Sequence, residues 1–158
     1  SIVWGCAKPS ILNKIEIVQK KAIRHVCNLK YNAHTSEHFK KLNYLKIYDL
    51  ISFNQAIFMR NYTNKKLPFS FNNMLNSVPN NYRRSRDDDY NFILPTINFV
   101  NLHHFPTPKL VYNWNNLPLT IKSVSEPIIF RTELKQHLMS SYETTCTKHK
   151  CYSCQTPN

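Results

Sequence analysis

Between Pro9 and Asn28 the apolar side chains return every three or four residues, at Leu12, Ile15, Val18, Ala22, Ile23 and Val26. That interval matches the turn of an α-helix and not the alternation of a strand, so one stripe of a helix collects them. A stripe of this kind must meet another apolar face, which commits the chain to helix packing as the start of its core. Ser10 is placed to cap the helix, and Lys14, Lys20, Lys21 and Arg24 line its outer face.

Two further helical segments follow. "HTSEHFKKLNYL" offers Thr35 as a cap ahead of Phe39 and Leu42, and "KIYDLISFNQAIFMRNY" carries Ile47, Leu50, Ile51, Phe58 and Tyr62 on a stripe interrupted by Asn54. Leu67-Pro68 ends that run, because proline has no amide hydrogen to continue the ladder. Residues 1–71 therefore read as a small helical bundle. Residues 72–124 are loop-rich, with the short runs "NFILP", "INFV" and "KLVY" expected to pair as a minor β element and with a Trp-Asn-Asn-Leu-Pro turn. Residues 125–142 form a C-terminal amphipathic helix, started by Ser125 and Pro127, with Ile128 or Ile129, Phe130, Leu134 and Leu138 on its apolar side. Residues 143–158 are a Cys/His tail, expected to be flexible. The expected fold class is mainly α, with all segments in one domain. The apolar opening at Ile2, Val3 and Trp4 reads as the edge of an element whose packing partner lies upstream.

The chain has 21 Lys and Arg against 9 Asp and Glu, a formal net charge of +12. The cations run from Lys8 to Lys150 instead of forming a tail, and such a field favours a polyanion, because each neutralised phosphate releases condensed counterions. Nucleic acid is the expected partner, with Lys14, Lys20, Lys21 and Arg24 as one contact row. Arg83, Arg84 and Arg86, beside Tyr82 and Tyr90, form a second. No apolar run approaches the roughly 20 residues of a membrane span, and no secretory signal is visible. An intracellular protein of cytoplasm and nucleus is expected, with no membrane and no small-molecule substrate.

Three motifs carry tempting chemistry. Asp87, Asp88 and Asp89 are adjacent on one segment and cannot converge on one metal site, so they read as a solvated loop paired with the neighbouring arginines. Cys146, His149, Cys151 and Cys154 include a Cys-x-x-Cys pair, but only Lys150 separates its first cysteine from His149. That link is too short for the usual two-knuckle zinc geometry, so a reduced tail without cofactor is the reading and a structural zinc its alternative. His34 and His38 read as capping and surface groups. Five cysteines, an odd number, form no secreted disulfide framework.

Four stretches, taken in order, resemble the C-terminal segment, beyond the polymerase palm, of non-LTR (LINE-type) retrotransposon reverse transcriptases of the Jockey and chicken-repeat groups. "IVWGCAKPSILNKIEIVQKKAIRHV" is similar to the family's apolar-Trp-Gly entry and its Gln-Lys-Lys-Ala-Ile-Arg helix, here Gln19 to Arg24. "HTSEHFKKLNYLKIYDLISFNQAIFM" resembles its His-Thr, Phe and Leu-x-Ile-x-Asp-Leu pattern at His34, Thr35, Phe39, Leu45, Ile47, Asp49 and Leu50. "NYTNKKLPFSF" resembles a short linker ending at Leu67 and Pro68. "NWNNLPLTIKSVSEPIIFRTELKQHL" resembles the closing Trp-Asn-x-Leu-Pro, polar link and Leu-Lys-x-x-Leu helix. The resemblance implies a non-catalytic fragment, since the family's polymerase carboxylates lie in the palm, upstream of Ser1. It implies a partner in RNA or an RNA/DNA hybrid, held during target-primed reverse transcription, and a second partner in the upstream polymerase domain. A scaffold that only packs on that domain is the rival expectation. Trp4 and Trp114 are the expected structural anchors, Trp114 fixing the Leu117-Pro118 turn so that the last helix returns to the bundle.

Overall fold

The computed structural model describes residues 4–79, 89–94 and 106–142, with Trp4 as backbone only. Among these residues the fold is mainly helical: α1 (Pro9–Val26), α2 (Ser36–Lys41), α3 (Ile47–Thr63), α4 (Pro106–Asn115), α5 (Leu119–Lys122) and α6 (Pro127–Ser140), with 3-10 turns at Trp4–Cys6 and Phe69–Phe71.

Proline sets most of the helix starts. Pro9 and Pro127 occupy the first turns of α1 and α6, α4 opens on Pro106 and Pro108, and Pro118 immediately precedes α5. A proline there forfeits nothing, because first-turn amides have no intrahelical acceptor, and its ring holds φ near the helical value. Ser10 therefore lies inside α1, with Lys8 at the N-cap position, and Glu126 instead of Ser125 occupies that position in α6, neither making a side-chain capping bond.

The helix ends are built without glycine. α1, α2 and α3 each finish with an amide reaching five residues back, Leu29 N to Arg24 O at 2.8 Å, Tyr44 N to Phe39 O at 2.9 Å and Lys66 N to Asn61 O at 2.8 Å. This Schellman closure requires a left-handed residue just before that amide, a role filled by Asn28, Asn43 and Lys65 at φ of 50°, 57° and 53°. The chain's single glycine serves elsewhere. Gly5 sits so close to α3 that a Cβ would overlap the Ile51 side chain, and its carbonyl accepts from Lys109 Nζ at 2.6 Å.

α3 is the central element. Its Ala56 and Met59 meet Leu110, Val111 and Trp114 of α4, Ile121 of α5, Phe130 and Leu134 of α6, and Leu75 in one buried cluster. A second cluster joins Ile23 of α1, Phe39 of α2, Leu45, and Met139 and Tyr142 at the end of α6. Phe53 and Leu138 pack against both, so the two clusters are continuous. Gln19 ties α1 to the start of α3 by donating to Leu45 O at 2.8 Å and accepting from Ile47 N at 3.0 Å.

Several sequence expectations are corrected. "KLVY" is not a strand but the middle of α4, and the two prolines ahead of it start that helix. "NFILP" contributes one isolated antiparallel bridge, Ser77 with Phe92, and "INFV" lies outside the described residues. Leu50 in α3 and Ile128 and Ile129 in α6 are exposed, because α3 turns Gln55 and Arg60 inward and α6 turns Phe130 and Leu134 inward. His34 precedes α2, so it does not share a helical face with His38.

The Asn-Trp-Asn-Asn-Leu-Pro stretch is a helix end as much as a turn. Trp114 sits in the last turn of α4, its ring centroid 6.5 Å from that of Phe130 on α6, and its Nε1 donates to Tyr90 O at 2.7 Å. Asn115 both donates to Phe92 O at 2.8 Å and accepts from Phe92 N at 3.1 Å, standing in for a neighbouring strand. Leu117 packs against the main cluster, and Leu117 N donates to Trp114 O at 3.0 Å, so Leu117-Pro118 reverses the chain into α5 and α6.

Candidate nucleic-acid interface

At 3.6 residues per turn α1 divides into three longitudinal faces. The first carries Leu12 and Ile23, both buried, with Gln19, and lies against α3 and the second core cluster. The second carries Lys14, Lys21 and His25, all exposed, bordered by Ile17, Lys20 and Arg24. The third carries Ile11, Ile15, Val18 and Val26, which are 50%, 45%, 64% and 71% exposed, together with exposed Ala22.

The four cations read from the sequence thus split into two pairs. Lys14 and Lys21 point outward. Lys20 turns back to Glu16, Nζ to Oε1 at 2.7 Å, and Arg24 Nε donates to Ala33 O at 2.9 Å, holding the loop after α1 against the helix. The intrahelical pair is partly exposed and contributes only about 0.3 to 0.5 kcal/mol, so Lys20 can exchange it for a phosphate. Arg24 has a structural duty first, and its remaining guanidinium donors border the cationic face.

Cations serve the fold elsewhere too. Arg60, buried on α3, donates through its two terminal nitrogens to Val124 O and to Ser125 O at 2.6 Å and lies over the Phe130 ring at 4.3 Å. Burial lowers its proton affinity, partly offset by Glu126. Lys122, also buried, donates to Asn115 O at 2.8 Å, the carbonyl at the end of α4, and to Asn91 Oδ1 at 2.9 Å. Lys46 donates to Ser36 Oγ at 3.0 Å and stacks on Tyr142 at 4.3 Å. Lys109 holds Gly5 O and, as a nearby positive charge, offsets part of the rise that burial imposes on the Cys6 thiol. Part of the net charge is thus committed to internal strapping of carbonyls and rings, and fewer cations are free to contact a phosphate than the formal count.

A cationic cleft missed by the sequence reading lies between α3 and α6. It has a volume of about 310 Å³, a floor of Phe53 and Met139, and Arg131, Lys135, Gln136 and Asn43 around its rim. The signal was present as Arg131 and Lys135, one turn apart, but only packing reveals that Phe53 lies beneath them. Arg83, Arg84 and Arg86 lie outside the described residues, as do Cys146, His149, Cys151 and Cys154. Among the described residues no three His, Cys, Asp or Glu side chains come together as a metal site. No described helix is long and apolar enough to cross a membrane.

The fold can therefore present an outward lysine row with few competing acids, and separately an apolar row with no described element covering it. Comparison with known proteins identifies neither: no family model, no curated protein and no solved structure matches the chain.

Proposed function

We propose that the chain is the non-catalytic C-terminal portion of a non-LTR retrotransposon reverse transcriptase and that it grips RNA or an RNA/DNA hybrid through phosphates during target-primed reverse transcription. The observation that supports the grip is the second face of α1, where Lys14 and Lys21 are exposed and the helix's one acid, Glu16, is paired with Lys20. Phosphate contacts of this kind position a strand without reading its bases. Arg131 and Lys135 at the cleft are a second phosphate contact in this reading. The family assignment rests on the four ordered resemblances, and polymerisation belongs to the upstream palm of the parent enzyme. The proposal places the parent protein in cytoplasm and nucleus and invokes no cofactor.

Titration of an RNA/DNA hybrid across salt tests the grip. Affinity should fall steeply with salt, and Lys14→Ala with Lys21→Ala should lower the log-log salt slope by about 2, one for each lost phosphate contact. A flat salt response of the unsubstituted chain would refute it.

A second reading is supported by the third face of α1. A scaffold that packs on the upstream polymerase domain needs an uncovered apolar surface, and Ile11, Ile15, Val18, Ala22 and Val26 supply one. The same double lysine substitution leaves that function intact.

A further inference from the structure

We propose that the third face of α1 is a docking surface for an acidic amphipathic helix of a protein partner. The inference goes beyond phosphate binding. It shares with the scaffold reading only the premise that this face is an interface, and it specifies what the interface accepts.

The geometry is that of one half of a helix pair. Ile11, Ile15, Val18, Ala22 and Val26 follow one another at steps of four, three, four and four residues, the spacing of a seam between packed helices. The seam runs roughly 22 Å along the axis at the helical rise per residue, about four turns. It is distinct from the core face, whose Leu12 and Ile23 are buried. Isolated exposed apolar side chains need no explanation, but a continuous row on one helix marks a surface that is covered in use.

Charge selects the occupant. Lys14, Lys21 and His25 form one rim of the seam, and Lys8 stands exposed ahead of it. Glu16, the acid on this helix, lies across the core-facing side and is paired with Lys20. A second copy of the chain is disfavoured by symmetry. When two identical helices pair antiparallel about a two-fold axis, each rim faces the same rim of its mate, so the two sets of lysines would be brought together. Parallel pairing would instead turn that rim toward the side of the mate already occupied by α3. A helix with a matching apolar stripe and Glu or Asp along the facing edge satisfies both requirements, burying the seam and neutralising the rim.

The test uses the full chain and two synthetic amphipathic helical peptides with the same leucine stripe, one flanked by glutamates and one by lysines, each carrying a fluorophore. Anisotropy should show the glutamate peptide binding at least tenfold more tightly than the lysine peptide. The double variant Ile15→Ser with Val18→Asn should weaken the glutamate peptide at least tenfold, with its circular dichroism unchanged and with the salt slope for RNA/DNA hybrid unchanged. Equal binding of the two peptides overturns the proposal without reference to any variant. Concentration-dependent dimerisation in sedimentation, abolished by the double variant, would overturn it in favour of a second copy. Loss of the hybrid's salt dependence alone would refute the phosphate grip and leave the docking surface standing.

Discussion

Replacing Lys65 by glycine is expected to stabilise the protein. Lys65 is the left-handed residue that closes α3, with φ of 53°, and its exposed side chain makes no contact that the fold uses. The two closing bonds, Lys65 N to Tyr62 O at 3.0 Å and Lys66 N to Asn61 O at 2.8 Å, are backbone only, so glycine retains both. The left-handed conformation costs an ordinary residue about 1 to 2 kcal/mol, which glycine escapes. Glycine in turn loses about 0.5 to 1 kcal/mol of additional chain entropy on folding. At mid-range values the net gain is about 0.75 kcal/mol, or about 1.5 to 3 °C in Tm for a chain of this size. Asn43→Gly should give less, since asparagine already tolerates the left-handed region. Lys65→Ala should give nothing, because alanine meets the same steric conflict. Thermal melts of the three variants decide it. A lowered Tm for Lys65→Gly, or an equal rise for Lys65→Ala, would refute the account of these helix ends.

Gly5→Ala should destabilise by about 1 to 3 kcal/mol in a urea titration, because the new methyl meets the Ile51 side chain of a packed helix. Arg60→Lys should cost about 1.5 to 3 kcal/mol, since a single ammonium cannot hold Val124 O and Ser125 O together as the two terminal guanidinium nitrogens do; an unchanged urea midpoint would contradict this. Tyr142→Phe should cost about 1 to 3 kcal/mol near neutral pH by losing the bond donated to Asp49 Oδ2 at 2.6 Å and the one accepted from Lys46 N at 2.7 Å. Burial, and next the bond to Asp49, push the Tyr142 phenol well above its ordinary value. Its folded form therefore stays protonated where the unfolded form ionises, so stability is complete below pH of about 10 and declines above it. Urea midpoints measured against pH should show that alkaline decline reduced in Tyr142→Phe, and an identical decline would rule it out.

Trp114 illustrates how far a local pattern reaches. Its place before Leu117-Pro118 was legible as an anchor, because a large aromatic next to a chain reversal has few uses other than packing. That it sits within a helix was not legible, because "KLVY" is β-branched and aromatic enough to read as a strand, and the competing signal, two prolines that start α4, acts only when the helix has a core to join. The α1 cations were legible as a row, yet which of them face outward depends on Glu16 and on the Ala33 carbonyl, and the latter comes near only when the loop folds back.

The sequence by itself determined the helical class, through apolar intervals of three and four residues, and the starts of α1 and α6, near Pro9 and Pro127. It also determined that, with one glycine, any left-handed helix closure must fall to another residue type. Tertiary structure alone decided that the single apolar stripe read on α1 divides, with Leu12 and Ile23 in the core and Ile15, Val18, Ala22 and Val26 exposed, because periodicity assigns residues to a stripe but does not say how much of it a neighbour covers. It alone decided which cations are structural, for Arg60, Lys109 and Lys122 find their carbonyl or amide partners on segments far away in the chain. Long-range pairing of this kind has no signature in local spacing, since a basic side chain bound to a buried carbonyl and one open to solvent are written with the same letter.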